Sequence, residues 1–284
     1  DRVTTLPKQD TTGMQDKKKT PEELYAAEKA RGDQYWEKRN ELPELEKAIA
    51  AYQSAAKVNP KDAAIWTRLS RAFYLKADGF FSFEKESNDD AMKKFLNTHE
   101  QGIVYAKRAM LAHSSEYQKK TEAGVKMEDA MQVLGKDAVP AMYWFASNYG
   151  KWGVAKGFTT ILKYKDMIKK TMDRVVELDP DFFHAAGHRY MGAYYSKTPS
   201  FAGGDMNKSK KHFDKSLAKA PNYFGTKVLM AEYYAKKEDD RALFEKLLKQ
   251  VIDGNPDVAK DVSPENRIEQ KKAKALMKKI DEIF

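Results

Sequence analysis

Small and apolar residues recur at fixed distances before four prolines in this 284-residue chain. They lie 12, 8 and 5 residues before each proline, so they fall on one face of a helix that the proline ends. The sets are Ala48, Tyr52 and Ala55 before Pro60; Ile168, Met172 and Val175 before Pro180; Ser209, Phe213 and Ser216 before Pro221; and Phe244, Leu248 and Val251 before Pro256. The pattern predicts amphipathic helices in a repeated unit.

A complementary pattern marks a partner helix in the same units. A large residue is followed four positions later by a small one and then, three positions on, by an aromatic residue. The pattern is carried by Trp66, Ser70 and Phe73; by His188, Gly192 and Tyr195; by Ala231 and Tyr234; and, more loosely, by Gly32 and Tyr35. The two patterns together are those of tetratricopeptide repeats. The sequence therefore predicts an all-α helical-hairpin solenoid of about five helix pairs with a C-terminal capping helix.

The chain divides into three predicted regions. Residues 1–20 are polar and lack periodicity, which predicts a flexible tether. The repeat body spans 21–262, and the capping helix spans 263–284 with Ile268, Ala275, Leu276, Ile280 and Phe284 on one face. An insertion at 78–100 and enlarged turns around Gly157 and Pro199 lengthen the connections within the pairs. Loops that grow on one face of a solenoid usually contact a partner or a ligand.

Composition narrows the class of protein. No run approaches the roughly 18 apolar residues of a membrane span. Cysteine is absent, which excludes disulfides, thiolate metal sites and cysteine nucleophiles. The net charge of +9 comes mainly from lysine pairs separated by acids, without the continuous basic stripe typical of nucleic-acid binding. The charge favours an acidic protein partner or an anionic membrane surface.

The glycine-rich segment Gly203-Gly204-Asp205 is not a phosphate-binding loop. It lacks both the preceding strand and the Gly-Lys-Ser/Thr that such a loop requires. Asp205 is better interpreted as the N-cap of a helix that begins near Met206, and Asp240 as the cap of the next helix.

No residue pattern indicates catalysis or a cofactor. His184 and His188 have the spacing of metal ligands, but no third ligand is evident, and packing accounts for His188 better. The paired carboxylates lie in loops beside charged neighbours, and no nucleophile or dinucleotide motif occurs. We therefore expect neither an enzyme nor a cofactor or metal site.

The densest aromatic stretch, AMYWFASNYGKW at 141–152, offers a candidate ligand site. On a helix, Trp144, Asn148 and Trp152 share a face, and Lys151 lies beside them. Such stripes are usually core, but a buried amide needs hydrogen-bond partners. A groove of aromatics, one amide and one lysine suits a ligand with an apolar body and an anionic end. The residues that could complete it on the next repeat are Arg189, Tyr194 and Tyr195.

Several segments together resemble one family. They are YWFASNYGKWG, then MDRVVELDPDFFHAAGHRYMGAYYSKTPSFAGGD, then FDKSLAKAPN and AEYYAKKEDDRALFEKLL. Over residues 45–258 the chain resembles the TatT family, the tetratricopeptide-repeat T component associated with tripartite ATP-independent periplasmic (TRAP) transporters. The resemblance implies a periplasmic lipoprotein with an all-helical fold, a cleft or pore through the body, and assembly as a homotrimer.

The resemblance also assigns roles to residues. The implied ligand-binding residues are Trp144, Asn148, Lys151, Trp152, His188, Arg189 and Tyr195. The implied partner-docking loop contains Phe201, Gly203, Gly204 and Asp205. The expected function is therefore docking of a TRAP-type substrate-binding protein, with a small hydrophobic carboxylate in the cleft and membrane attachment only through an N-terminal lipid anchor. The alternative is a generic envelope scaffold that binds a segment of another protein and has no role in transport.

Overall fold

The computed structural model describes residues 19–284, and it is 82% helical with no strand in this part of the chain. The α-helices of this part are α1 (Pro21–Trp36), α2 (Leu42–Val58), α3 (Ala63–Gly79), α4 (Asp89–His113), α5 (Ser115–Glu122), α6 (Met127–Ala130), α7 (Val139–Lys156), α8 (Phe158–Leu178), α9 (Phe182–Lys197), α10 (Met206–Lys219), α11 (Phe224–Leu229), α12 (Arg241–Ile252), α13 (Ser263–Lys278) and α14 (Ile280–Ile283). A π-helical segment at Met230–Ala235 continues α11. The predicted all-α solenoid is confirmed.

The helices pack as consecutive hairpins. The pairs are α1 with α2, α3 with α4, α7 with α8, α9 with α10, and α11 and its π segment with α12. Asn59, Asp179 and Ala220 each leave the helical conformation just before a proline, because proline disfavours that conformation in the residue that precedes it. The tetratricopeptide character of these pairs stays a prediction.

The residues at the repeated positions before the prolines form the centre of the packing. All twelve of them, named above by their distance from each proline, are at most 1% exposed. Glycine on the first helix of a pair lets a ring of the second helix approach. A Cβ on Gly32 would lie 2.5 Å from the ring of Tyr52, and one on Gly192 would lie 2.8 Å from that of Phe213.

The C-terminal segment returns to the beginning of the chain. Ile268 of α13 is buried with the core of the first hairpins and contacts the position where a Cβ of Gly79 would lie. The remainder of α13 and the short α14 cover a second core that α9 to α12 share, with Leu276, Ile280 and Phe284 packed against it. The solenoid is therefore closed by α13, and we call the surface that faces its centre the inner surface.

The insertion at 78–100 contains a short 3₁₀ turn, Phe81–Phe83, and the first half of the long helix α4. Residues 1–18 of the predicted tether lie outside the described residues, and Thr20 forms a capping box with Glu23 at the start of α1.

Candidate functional site

Helix α9 begins with a left-handed turn at Phe183, His184 and Ala185, whose φ angles are 43°, 58° and 53°. This conformation costs non-glycine residues about 1–2 kcal/mol each, so the surroundings must stabilise it. Arg189 does so one turn later, because its guanidinium donates to the carbonyl oxygens of His184 at 3.0 Å and Phe183 at 3.5 Å. The turn places the Phe183 ring on the inner surface.

Four aromatic side chains meet at this turn: Tyr143, Trp144, Phe183 and Tyr223, here called the aromatic cluster. Phe183 packs edge-to-face on Trp144 at 5.4 Å and on Tyr223 at 5.6 Å between ring centroids. Arg189 lies 4.2 Å from the centroid of Tyr223 and donates to the Tyr143 hydroxyl at 3.4 Å. The cluster is thus largely buried, since Tyr143, Trp144 and Tyr223 are at most 7% exposed and only Phe183 is partly exposed. One buried guanidinium lies at its edge.

Two ion pairs that share the buried carboxylate of Glu265 close the solenoid beside the aromatic cluster. The Glu265 carboxylate of α13 accepts from Arg39 at 2.9 and 2.7 Å and from Arg71 of α3 at 2.6 Å. Burial alone would raise the pKa of Glu265, but the charges and hydrogen bonds of the two arginines outweigh burial and lower it. Arg71 also lies 4.5 Å from the ring centroid of Phe183, which ties the closure to the aromatic cluster.

A group of lysines lies farther along the inner surface, toward the C-terminal ends of α3, α7 and α9. We call Lys85, Lys151, Lys197 and Lys272 the lysine cluster. The Asp78 carboxylate of α3 accepts from Lys151 of α7 at 2.6 Å and from Lys272 of α13 at 2.6 Å. These two contacts hold three helices together, and the two ammonium groups keep the pKa of Asp78 well below its usual range despite burial.

Lys197, the last residue of α9, differs from the other members of the cluster. Its ammonium lies 4.3 Å from the ring centroid of Tyr233, and no carboxylate of the described chain lies within ion-pair distance. Protein surrounds it on most sides, yet the side chain stays accessible to water. Desolvation, followed by repulsion from Lys151, lowers the pKa of Lys197 to about 8.

Tyrosines connect the lysine cluster with the aromatic cluster. Tyr74, Tyr190 and Tyr233 are half-buried, and burial raises the pKa of each hydroxyl. The hydroxyls of Tyr74 and Tyr233 make no hydrogen bond to residues 19–284, whereas that of Tyr190 donates to Ala146 at 3.4 Å. The inner surface therefore offers free hydroxyls between an apolar end and a cationic end.

The structure separates the residues that the sequence placed in one groove. Asn148 is fully buried: its amide donates to the carbonyl oxygens of Trp144 at 2.9 Å and Ser70 at 3.3 Å, while its oxygen lies 2.9 Å from Nδ1 of His99. It thus joins α7 to α3 and α4. Trp152 donates to Glu100 at 2.7 Å, on the side of α7 that faces α4 and α8.

His188 and Tyr195 belong to another environment, between α9 and α10. Nδ1 of His188 lies 3.1 Å from Nδ1 of His212, and the ring of Tyr195 lies 5.7 Å from that of His212. Burial lowers the pKa of both histidines, that of His212 to about 4, so both are neutral at pH 7. Only Trp144, Lys151 and Arg189 of the predicted set lie at the two clusters of the inner surface.

Sequence reasoning missed Asp78, Lys197, Lys272, Tyr74 and Tyr233. A signal was present for Lys197, which follows Arg189 by eight residues and therefore lies on nearly the same face of α9. No local pattern joins Asp78 to Lys272, because 194 residues separate them.

The loop between α9 and α10 is ordered by its glycines. Gly203 has φ of 100°, and a Cβ on Gly204 would lie 1.8 Å from the carbonyl oxygen of Thr198, so neither position suits a larger residue. The Asp205 carboxylate accepts from the backbone N–H of Lys208 at 2.9 Å and caps α10, as that of Asp240 caps α12. The loop presents Phe201, whose side chain is 81% exposed.

Comparison with known proteins identifies the family. A family model described as the TRAP transporter T-component matches residues 39–284, whereas no curated protein matches the chain. The family is a non-catalytic component associated with TRAP transport. No helix among residues 19–284 has the length and apolar character needed to cross a membrane. The chain belongs to the TRAP transporter T-component family.

Proposed function

We propose that this chain docks the periplasmic substrate-binding protein of a TRAP-type transporter and holds a small apolar carboxylate on its inner surface. In this proposal it works in the periplasm, tethered as a lipoprotein. Membership of the T-component family supports the link to transport. The observation that carries the ligand is the occurrence of an aromatic cluster and a lysine cluster on the same inner surface.

The charge of the inner surface supports an anionic ligand. Cations outnumber carboxylates there: Arg39, Arg71, Arg189 and the four lysines of the lysine cluster face Asp78, Glu232, Glu265 and Glu269. Burial raises the pKa of Glu269, against the opposing effect of Lys272. An anion would compensate the excess of positive charge, since unpaired charges in a partly desolvated site are unfavourable.

Exposed aromatic residues support a docking edge. Phe83, Phe158 and Phe201 are 46%, 54% and 81% exposed. Phe83 and Phe201 lie in the connections between the two helices of a hairpin, and Phe158 is the first residue of α8, directly after such a connection. Since the hairpins are consecutive, these connections lie along one edge of the solenoid. Aromatic side chains on such an edge are typical anchors of a protein interface.

The docking proposal can be tested by affinity capture from an envelope extract of the source organism. Wild type, the double variant F158S/F201S and the control V258S serve as baits; Val258 is 56% exposed and lies between α12 and α13, away from the three connections. Mass spectrometry should identify a TRAP-type substrate-binding protein with wild type and V258S, and a reduction of about tenfold with the double variant.

Two results would contradict the proposal. Equal capture by all three baits would show that the exposed aromatic residues of this edge do not bind the partner. Capture of unrelated envelope proteins alone would favour the alternative, a repeat scaffold that binds segments of other proteins.

A further inference from the structure

We infer that the bound carboxylate is oriented, with its charged group at Lys197 and its apolar body directed toward the aromatic cluster. The inference rests on the proposed function, because it adds an orientation and a head-group residue to the ligand proposed above. It is carried by the difference between Lys197 and its neighbours in the lysine cluster.

The other cations of the inner surface already have partners. Lys151 and Lys272 share the carboxylate of Asp78, and Lys85 lies 4.0 Å from Glu86. Among residues 19–284, Lys197 makes a cation–π contact with the Tyr233 ring and no ion pair, so its ammonium can still bind an anion. Because water reaches this side chain, a ligand can reach it too.

The opposite end of the inner surface does not offer a second head-group site. Arg189 uses its guanidinium on the carbonyl oxygens of the left-handed turn and on the Tyr143 hydroxyl. Arg39 and Arg71 both pair with the carboxylate of Glu265. An apolar group fits there better than a charged one, since Phe183 is the partly exposed ring of the aromatic cluster.

The spacing of the two ends sets the size of the ligand. Lys197 follows Arg189 by eight residues of α9, and Lys151 follows Trp144 by seven residues of α7. At 1.5 Å of rise per residue the two clusters are about 10–12 Å apart. Tyr74 and Tyr190 line the interval, where half-buried rings can pack against a chain or a ring system. The ligand class is therefore a medium-chain or aromatic monocarboxylate.

Isothermal titration with octanoate tests the orientation, and octan-1-ol serves as the neutral analogue of equal length. Wild type should bind octanoate at least about tenfold more tightly than octan-1-ol, the range expected for a hydrogen bond to a charged group. Lys197→Met should lose that preference, Lys197→Arg should keep it, and the exposed control Lys211→Met should match wild type. A melting curve of each variant verifies that it is folded.

Unchanged preference in folded Lys197→Met would overturn the inference, and so would equal binding of the acid and the alcohol by wild type. Capture of the substrate-binding protein is measured separately, without octanoate. If the orientation fails while capture is retained, the docking proposal still stands. If the preference for octanoate is retained without capture, only the docking proposal is contradicted.

Discussion

Asn148 is a buried side chain of α7 whose role in the structure differs from the one that the sequence suggests. Asn148 looks like a ligand-binding residue in the sequence because an amide between two tryptophans suits a polar groove. In the structure it makes all of its hydrogen bonds inside the protein, to Ser70, His99 and Trp144. A Cβ on Gly102 of α4 would lie only 2.4 Å from its oxygen, so the site has no space for a ligand. Asn148 therefore stabilises the packing of α7 against α3 and α4.

Replacing Asn148 with Leu should destabilise the protein strongly. The substitution removes the bonds of the amide to Ser70 and leaves Nδ1 of buried His99 without a partner, which costs about 2–4 kcal/mol. For a chain of this size that lowers Tm by about 5–12 °C. Differential scanning calorimetry measures the change, and Asn97→Leu, at an exposed position of α4, serves as the control. A shift no larger than that of the control would contradict the assignment.

The charge of Lys197 predicts a pH dependence of octanoate binding. The groups that act on this ammonium are Lys85, Lys151, Asp78 and Glu232, and the net effect with desolvation is a pKa of about 8. A bound anion stabilises the protonated form, so affinity should be full below pH 8 and fall progressively between pH 8 and 10. Lys197→Arg should retain affinity over this range, because arginine stays protonated. Parallel loss in both proteins would assign the titration to another group.

At the scale of elements, the repeated positions were predictable and the start of α9 was not. The residues before each proline are buried as their helical spacing requires, and Gly32 and Gly192 accept the rings of Tyr52 and Phe213. The left-handed turn contains no glycine, and side-chain contacts stabilise it, those of Arg189 among them, so no propensity signals it. The candidate site was predicted in part, because α7 contacts several other elements and periodicity does not tell which contact each face makes.

Two neighbouring alanines test the left-handed turn. Ala185 has φ of 53°, whereas Ala186 follows in regular helix, and both are buried. Ala186→Gly should destabilise by about 1 kcal/mol, as glycine does inside a helix. Ala185→Gly should be neutral or stabilising by up to about 1 kcal/mol, since glycine adopts positive φ without strain. Urea denaturation measures the free energy of unfolding of both variants. An equal loss of stability in the two would contradict the left-handed conformation of the turn.

At the scale of the whole molecule, closure by α13 encloses the inner surface. Glu265 binds two arginines of the first hairpins, and Lys272 binds Asp78 of α3. These residues are too far apart in the sequence for any local pattern to pair them, so the C-terminal helix was predicted but its ion pairs with the first hairpins were not. The aromatic and lysine clusters lie one after the other along the inner surface, and α13 contributes Lys272 to it.

Removing the carboxylate of Glu265 should open this closure. Glu265→Ala leaves two arginines unpaired at a buried position, which costs about 3–5 kcal/mol. Asp257→Ala removes an exposed ion pair with Arg267, which lies on α13 as Glu265 does. This substitution should cost less than about 1 kcal/mol. Chemical denaturation separates the two, and small-angle scattering should show expansion only for Glu265→Ala. Equal stability of the two variants would contradict a structural role for the closure.

The central claim is that the chain docks a TRAP-type substrate-binding protein while it holds a carboxylate. The most direct measurement is isothermal titration of the purified chain with the purified substrate-binding protein, with and without octanoate. We predict saturable binding of the two proteins, weakened by F158S/F201S and unaffected by V258S. Absence of binding at concentrations of about 100 μM, where transient complexes still form, would contradict the account.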